Sequence, residues 1–204
     1  MKSDHHLILH GLAIKKYADA KQVAGIIGAT TADVASFLKA QVKKGRVAIN
    51  NDKYALLPTT RVAVFGDYSR HYADIRNNAE FVAAYADFET VNVSLKQLIT
   101  HWQVIELQGA AVTNDHSDQA YDSRIIDRLG HLHERAEHVL TALARHLPRM
   151  QIYGEKLTRA LEQAEDGAIE WVSDVRIESY HTLWFELHED LLCIMGRTRD
   201  EREV

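Results

Sequence analysis

Between Lys21 and Pro58 the chain reads KQVAGIIGATTADVASFLKAQVKKGRVAINNDKYALLP, and the period of its apolar positions changes within that stretch. Lys21 to Ile27 predicts a short helix, with a corner at Gly28-Ala29. Thr30 is a good N-cap, and Asp33 follows it as a short version of the capping box. From Thr31 the apolar residues Val34, Phe37, Leu38 and Val42 recur at helical spacing, and Gly45 ends this second helix as a glycine just past the C-cap does. The period then drops to two. Val47 and Ile49 are set to pair with Tyr54 and Leu56 across Asn50-Asn51-Asp52-Lys53, which predicts a hairpin with a polar tip.

The sequence helix, helix, glycine, hairpin is the order of a winged helix-turn-helix. At about 100° per residue, Ala32, Ser36, Lys39 and Lys43 form a stripe opposite the apolar face of the second helix. Small residues first and lysines later suit a helix whose N-terminal end enters a DNA major groove while its far end holds flanking phosphates. Ala32, Ser36 and Lys39, with Thr31 beside them, are then expected toward base edges. Lys43, Lys44, Arg46 and Lys53 are expected on phosphates, with Asn51 at the tip of the wing. The stripe lacks Arg, Asn and Gln, the side chains best suited to bidentate base readout.

The remainder reads as helix. His6 to Tyr17 forms an opening helix that offers Leu7, Leu9, Leu12, Ala13 and Ile14 to the helix pair. After Pro58-Thr59-Thr60 closes the hairpin, long segments are expected at about Arg61 to Asp87 and Val91 to Val112. A polar break at Thr113 to Asp118 precedes a third, from Asp118 to about Leu147, stopped by Pro148. A fourth covers about Arg149 to Glu165, and a last amphipathic helix about Glu178 to Gly196, followed by a charged tail. The expected fold is therefore mainly α with a small β-hairpin wing. Residues 1–60 would form the DNA-binding domain, and residues 61–204 an all-helical dimerisation and effector domain, a bundle or a coiled-coil arm.

Charge strengthens the first half of this reading. The net charge of the 204-residue chain is −5, yet residues 1–60 hold eight Lys and one Arg against four Asp and no Glu, a net +5 that leaves −10 for the rest. A basic end on an acidic body is the asymmetry expected when one end meets phosphate. The one cysteine, Cys193, excludes an internal disulfide and fits a reducing cytoplasm. The opening residues lack the apolar stretch of a secretory signal, and no run approaches a membrane span.

Twelve histidines raise the question of a metal. On the projected third helix His133 borders the core stripe. On the last helix His181 and His188 share a flank beside Trp184, itself placed in the core. If these helices are neighbours, His133, His181 and His188 converge, either as a ligand pocket or as histidines hydrogen-bonded across a helix interface. No HExxH ligand motif, glycine-rich phosphate loop, CxxC pair or activated nucleophile occurs, so neither catalysis nor a bound cofactor or metal is expected.

The strings HGLAIKKYADAKQVA (His10 to Ala24), NDHSDQAYDSRIIDRL (Asn114 to Leu129), LHER (Leu132 to Arg135) and YHTLWFELHEDLL (Tyr180 to Leu192) resemble a bacterial domain. It occurs alone or as the C-terminal extension of actinobacterial proteins related to pyruvate phosphate dikinase and other phosphoenolpyruvate-utilising enzymes. Its stand-alone members resemble AphA- or PadR-type transcription factors. The resemblance implies a cytoplasmic, homodimeric regulator that binds double-stranded DNA. It does not imply dikinase activity, because the ATP-grasp and phosphohistidine parts are absent. A helical body with polar strings of its own implies a further partner, either a small-molecule effector or a phosphoenolpyruvate-utilising enzyme. The alternative functions are accordingly a non-catalytic accessory domain for such an enzyme, or a ligand or metal sensor.

Overall fold

A computed structural model describes residues 2–107 and 109–198, and the expected charged tail lies largely outside them. The protein is mainly helical. Ten helices and two separate two-stranded antiparallel sheets are present among the described residues. The chain divides into two compact units: Met1–Asn78 together with Glu186–Val204, and Ala79–Phe185. The division falls at Asn78 rather than at the hairpin's end near Thr60. No single described helix is long and apolar enough to cross a membrane.

The first unit opens with α1 (Lys2–Lys15), α2 (Ala20–Ile27) and α3 (Thr31–Lys43). Asp19 starts α2 with a full capping box, accepting from the Gln22 amide at 2.8 Å while Gln22 Oε1 accepts from the Asp19 amide at 3.0 Å. Gly28 ends it at φ 72°, and the chain turns by 119° into α3. Thr30 caps α3 as expected, but Asp33 takes the Thr30 hydroxyl proton instead of reaching back to the backbone. Gly45, at φ 65°, follows the C-cap residue Lys44. Close approach of α1 to α2 depends on Gly11: a Cβ there would lie 2.7 Å from Ile27 Cγ2.

Strands β1 (Val47–Asn50) and β2 (Lys53–Leu56) pair in the expected register, Val47 with Leu56 and Ile49 with Tyr54. Asn51 and Asp52 both have positive φ, 48° and 59°, the signature of a type I′ turn. Ala18 exchanges two backbone hydrogen bonds with Tyr54, tying the α1–α2 connection to β2.

The helix expected from Arg61 to Asp87 is broken twice. It becomes α4 (Pro58–His71), α5 (Ala73–Asn77) and the start of α6 (Ala79–Gln103). Tyr72 is buried and leaves helical geometry at φ −120°, and Asn78 is extended. Arg76 on α5 turns its guanidinium onto the carbonyls of Cys193 and Ile194, at the end of α10 (Tyr180–Met195). A cation there complements the negative end of the helix.

In the second unit α6 runs on through Thr90 and stops at Gln103, not Val112. The following residues form β3 (Val104–Leu107) and β4 (Ala110–Thr113), so the expected all-helical body contains a hairpin. Val104, Ile105, Val112 and Thr113 are β-branched, and Gly109 supplies a turn residue at φ 80°. Next come α7 (Gln119–His146), capped by Asp118, then α8 (Met150–Glu165) and the short α9 (Glu170–Ser173). Helix α7 packs on α6 and α8, burying Leu129, Leu140 and Leu143. The start of α10, through Phe185, belongs to this unit, and from Glu186 onward the helix belongs to the other.

Candidate functional site

Every residue of the expected stripe on α3 is exposed: Thr31, Ala32, Ser36, Lys39 and Lys43. The opposite face buries Val34, Leu38 and, less expectedly, Gln41. Lys44 and Arg46 continue the basic surface through the Gly45 turn, and Gln41 Oε1 lies 3.5 Å from one Arg46 nitrogen. Asn51 and Lys53 are exposed at the hairpin tip. Lys53 lies 5.5 Å from the Tyr17 ring centroid, while the Tyr17 hydroxyl donates to the Asn50 carbonyl at 2.9 Å. Ile49 stays 44% exposed beside them. The arrangement is an exposed helix face and a projecting hairpin with lysines on both, suited to a polyanion.

Beneath this surface lies a buried polar chain that the sequence reading did not anticipate. His10 on α1 faces Asp190 on α10 through Nε2 at 2.9 Å and the Tyr68 hydroxyl on α4 through Nδ1 at 2.8 Å. Both members of the His–Asp pair have fully buried side chains. A carboxylate only accepts, so His10 carries a proton on Nε2. Burial pushes the Tyr68 hydroxyl far above its ordinary range and the Cys193 thiol up to about 12, which leaves the cysteine inert.

A cavity of about 760 Å³ opens in the same unit, lined among others by His6, Phe37, Lys44, Arg46 and His71. His6 and His71 stack with ring centroids 3.8 Å apart and planes at 15°. One ligand atom each of His6, Asp67 and His71 lies within 4.8 Å of the others. The available sequence signal was Asp67 and His71 at i and i+4 on one helix; His6 is far away in the chain.

Of the residues expected at a ligand pocket, His133 shows the alternative arrangement, hydrogen bonds across a helix interface. Thr158 donates its hydroxyl proton to the Gly154 carbonyl at 3.1 Å, so it accepts from His133 Nε2–H at 3.1 Å. The Tyr180 hydroxyl then donates to His133 Nδ1, also at 3.1 Å. Both ring nitrogens are thus used across the interface of α7, α8 and α10. Trp184 is a core residue: it stacks on Phe88 at 4.9 Å and donates to Asn92 Oδ1 at 3.0 Å. His181 is half-buried on the same turn of α10, whereas His188 is buried in the part of α10 that belongs to the first unit.

Burial lowers the His133 pKa below 6.5, against the opposing pull of Glu137, Glu165 and Glu162. A depressed folded-state pKa means that the native state resists the proton, so its stabilising effect is full above the unfolded value and fades as pH falls below it. Urea midpoints should therefore drop between about pH 7.5 and about pH 5.5, and His133→Gln should shrink that drop. Equal drops in both proteins would refute the assignment.

The string NDHSD has a structural role. Asn114 donates from Nδ2 to the Trp102 carbonyl at 3.0 Å and to Asp122 Oδ1 at 2.9 Å, and His116 Nδ1 meets Asp122 Oδ2 at 2.9 Å. His116 holds φ 60° and packs its ring 4.5 Å from Trp102. This network fastens the β3–β4 hairpin to the start of α7. The chain matches no protein-family model, no curated protein and no solved structure.

Proposed function

We propose that the first unit is a winged helix-turn-helix that binds double-stranded DNA, and that the protein acts as a homodimeric transcriptional regulator of the AphA/PadR type. The carrying observation is the joint exposure of Ala32, Ser36, Lys39 and Lys43 on α3 with Lys53 at the hairpin tip. The 119° turn between α2 and α3 is within the usual range for such a helix pair. In this reading α3 enters the major groove, Lys43, Lys44 and Arg46 hold phosphates, and the hairpin reaches toward the neighbouring backbone with Asn51 and Lys53.

A single small module buries too little surface for specific binding, which is the reason to expect a dimer with its recognition helices about 34 Å apart. Val82 and Val93, about three turns apart on one flank of α6, are exposed and offer an apolar edge to a second copy. The lack of Arg, Asn and Gln on the α3 stripe makes sequence readout depend on small-residue contacts and on DNA shape.

Fluorescence anisotropy tests the reading, with labelled duplex from the gene's own upstream region and scrambled duplex as competitor. Binding should outlast the competitor and weaken steeply between about 50 and about 200 mM salt, with a slope near 0.9 per phosphate neutralised. Equal, weak binding to both duplexes would reject the specific regulator and favour a protein-interaction role.

A further inference from the structure

His6 is 9% exposed, and its Nε2 is buried without a hydrogen-bond partner. A native structure seldom leaves a buried polar nitrogen unsatisfied, because its desolvation is then uncompensated. The neighbours of His6 at the rim of the cavity are a second imidazole and a carboxylate. His71 stacks on it at 3.8 Å, and Asp67 sits one helical turn before His71 on α4. Arg70 pairs with Asp67 Oδ1 at 3.0 Å, which orients the carboxylate and leaves Oδ2 available.

We propose that His6, Asp67 and His71 form a binding site for a divalent transition-metal ion of the zinc class. Two imidazoles and one carboxylate are a three-ligand set that zinc takes with its fourth position open, here toward the cavity. Ligand atoms of a tetrahedral zinc lie about 3.3 Å apart, so the present spacing, within 4.8 Å, closes by side-chain rotation of the partly exposed Asp67 and His71. The charge around the site selects the ion. Lys44, Arg46 and Arg70 line the same cavity, and a lone carboxylate among them is a poor host for Mg²⁺ or Ca²⁺, which demand several oxygen ligands. Imidazole nitrogen favours Zn²⁺ and its neighbours in the transition series.

This site does not rest on DNA binding, and its test needs no DNA. The full chain is titrated with Zn²⁺ against a chromogenic chelator, with Mg²⁺ in excess. One equivalent should bind, and His71→Ala and Asp67→Asn should each weaken it by about tenfold or more, with helical circular dichroism retained. His138→Ala, on the exposed side of α7, is the control and should bind like the parent. Cobalt should give the intense visible bands of a tetrahedral site in the parent and lose them in His71→Ala. No stoichiometric binding, binding indifferent to both variants, or an equal loss in the control would each overturn the proposal.

Discussion

Asp190→Ala is expected to remove about 3–5 kcal/mol from the stability of the first unit. The carboxylate is fully buried and accepts from His10, whose other nitrogen is hydrogen-bonded to the Tyr68 hydroxyl. Truncation removes the carboxylate acceptor of a buried N–H and opens a cavity between α1 and α10, and both losses act at one place. A domain of this size has about 5–15 kcal/mol in all, so the variant should be close to unfolding at ordinary temperature. Asp190→Asn retains an acceptor and should cost distinctly less. Removing both partners, as His10→Leu with Asp190→Leu, should fall well short of the summed single losses. The measurement is chemical denaturation followed by circular dichroism, with protease susceptibility of residues 1–78 as the local readout. A loss below about 1 kcal/mol for Asp190→Ala would mean that the pair contributes little beyond shape.

The second large effect concerns binding rather than stability. Lys39→Glu together with Lys43→Glu should lower duplex affinity by more than about 100-fold at low salt and reduce the salt slope by about two contacts. Both side chains are exposed on α3, so the fold should survive. Lys43 lies in the last turn, where a glutamate opposes the helix dipole, so a stability loss of a few tenths of a kcal/mol is expected there. Arg159→Glu, exposed on α8 of the second unit, supplies the control for charge alone. Unchanged affinity in the double variant would remove α3 from the interface and, with it, the proposed orientation on DNA.

The stretch from Lys21 to Pro58 was legible because local chemistry decides it. Thr30, Gly45 and the Asn51-Asp52 turn act within a few residues of themselves, and helix ends and register followed from them. The same holds for Asp118 and Gly196, which bound α7 and α10. Legibility failed where distant contacts override local pattern. Neither break around α5 carries proline or glycine; the burial of Tyr72 and the reach of Arg76 to α10 act there. The β3–β4 hairpin continues an apolar run that fits a helix as well as a strand, a tie that periodicity cannot break. Among candidate sites, the exposed basic stripe was visible from projection alone. The His6, Asp67 and His71 group was not, because its members come from α1 and α4 and meet through tertiary packing. For His133 the sequence left two readings open, and the hydroxyls of Thr158 and Tyr180, which a shared flank does not reveal, give it hydrogen bonds across a helix interface.

The pairing of His10 with Asp190 spans 180 positions of sequence. A ribosome releases α1 through α4 long before it makes α10, so for most of translation the N-terminal module lacks the carboxylate that its core histidine needs. The second unit, 79–185, is synthesised in that interval. Residues made after the second unit thus complete the module begun before it. Chains truncated just before Asp190 and released should accordingly carry an N-terminal module still open to proteases and chaperones.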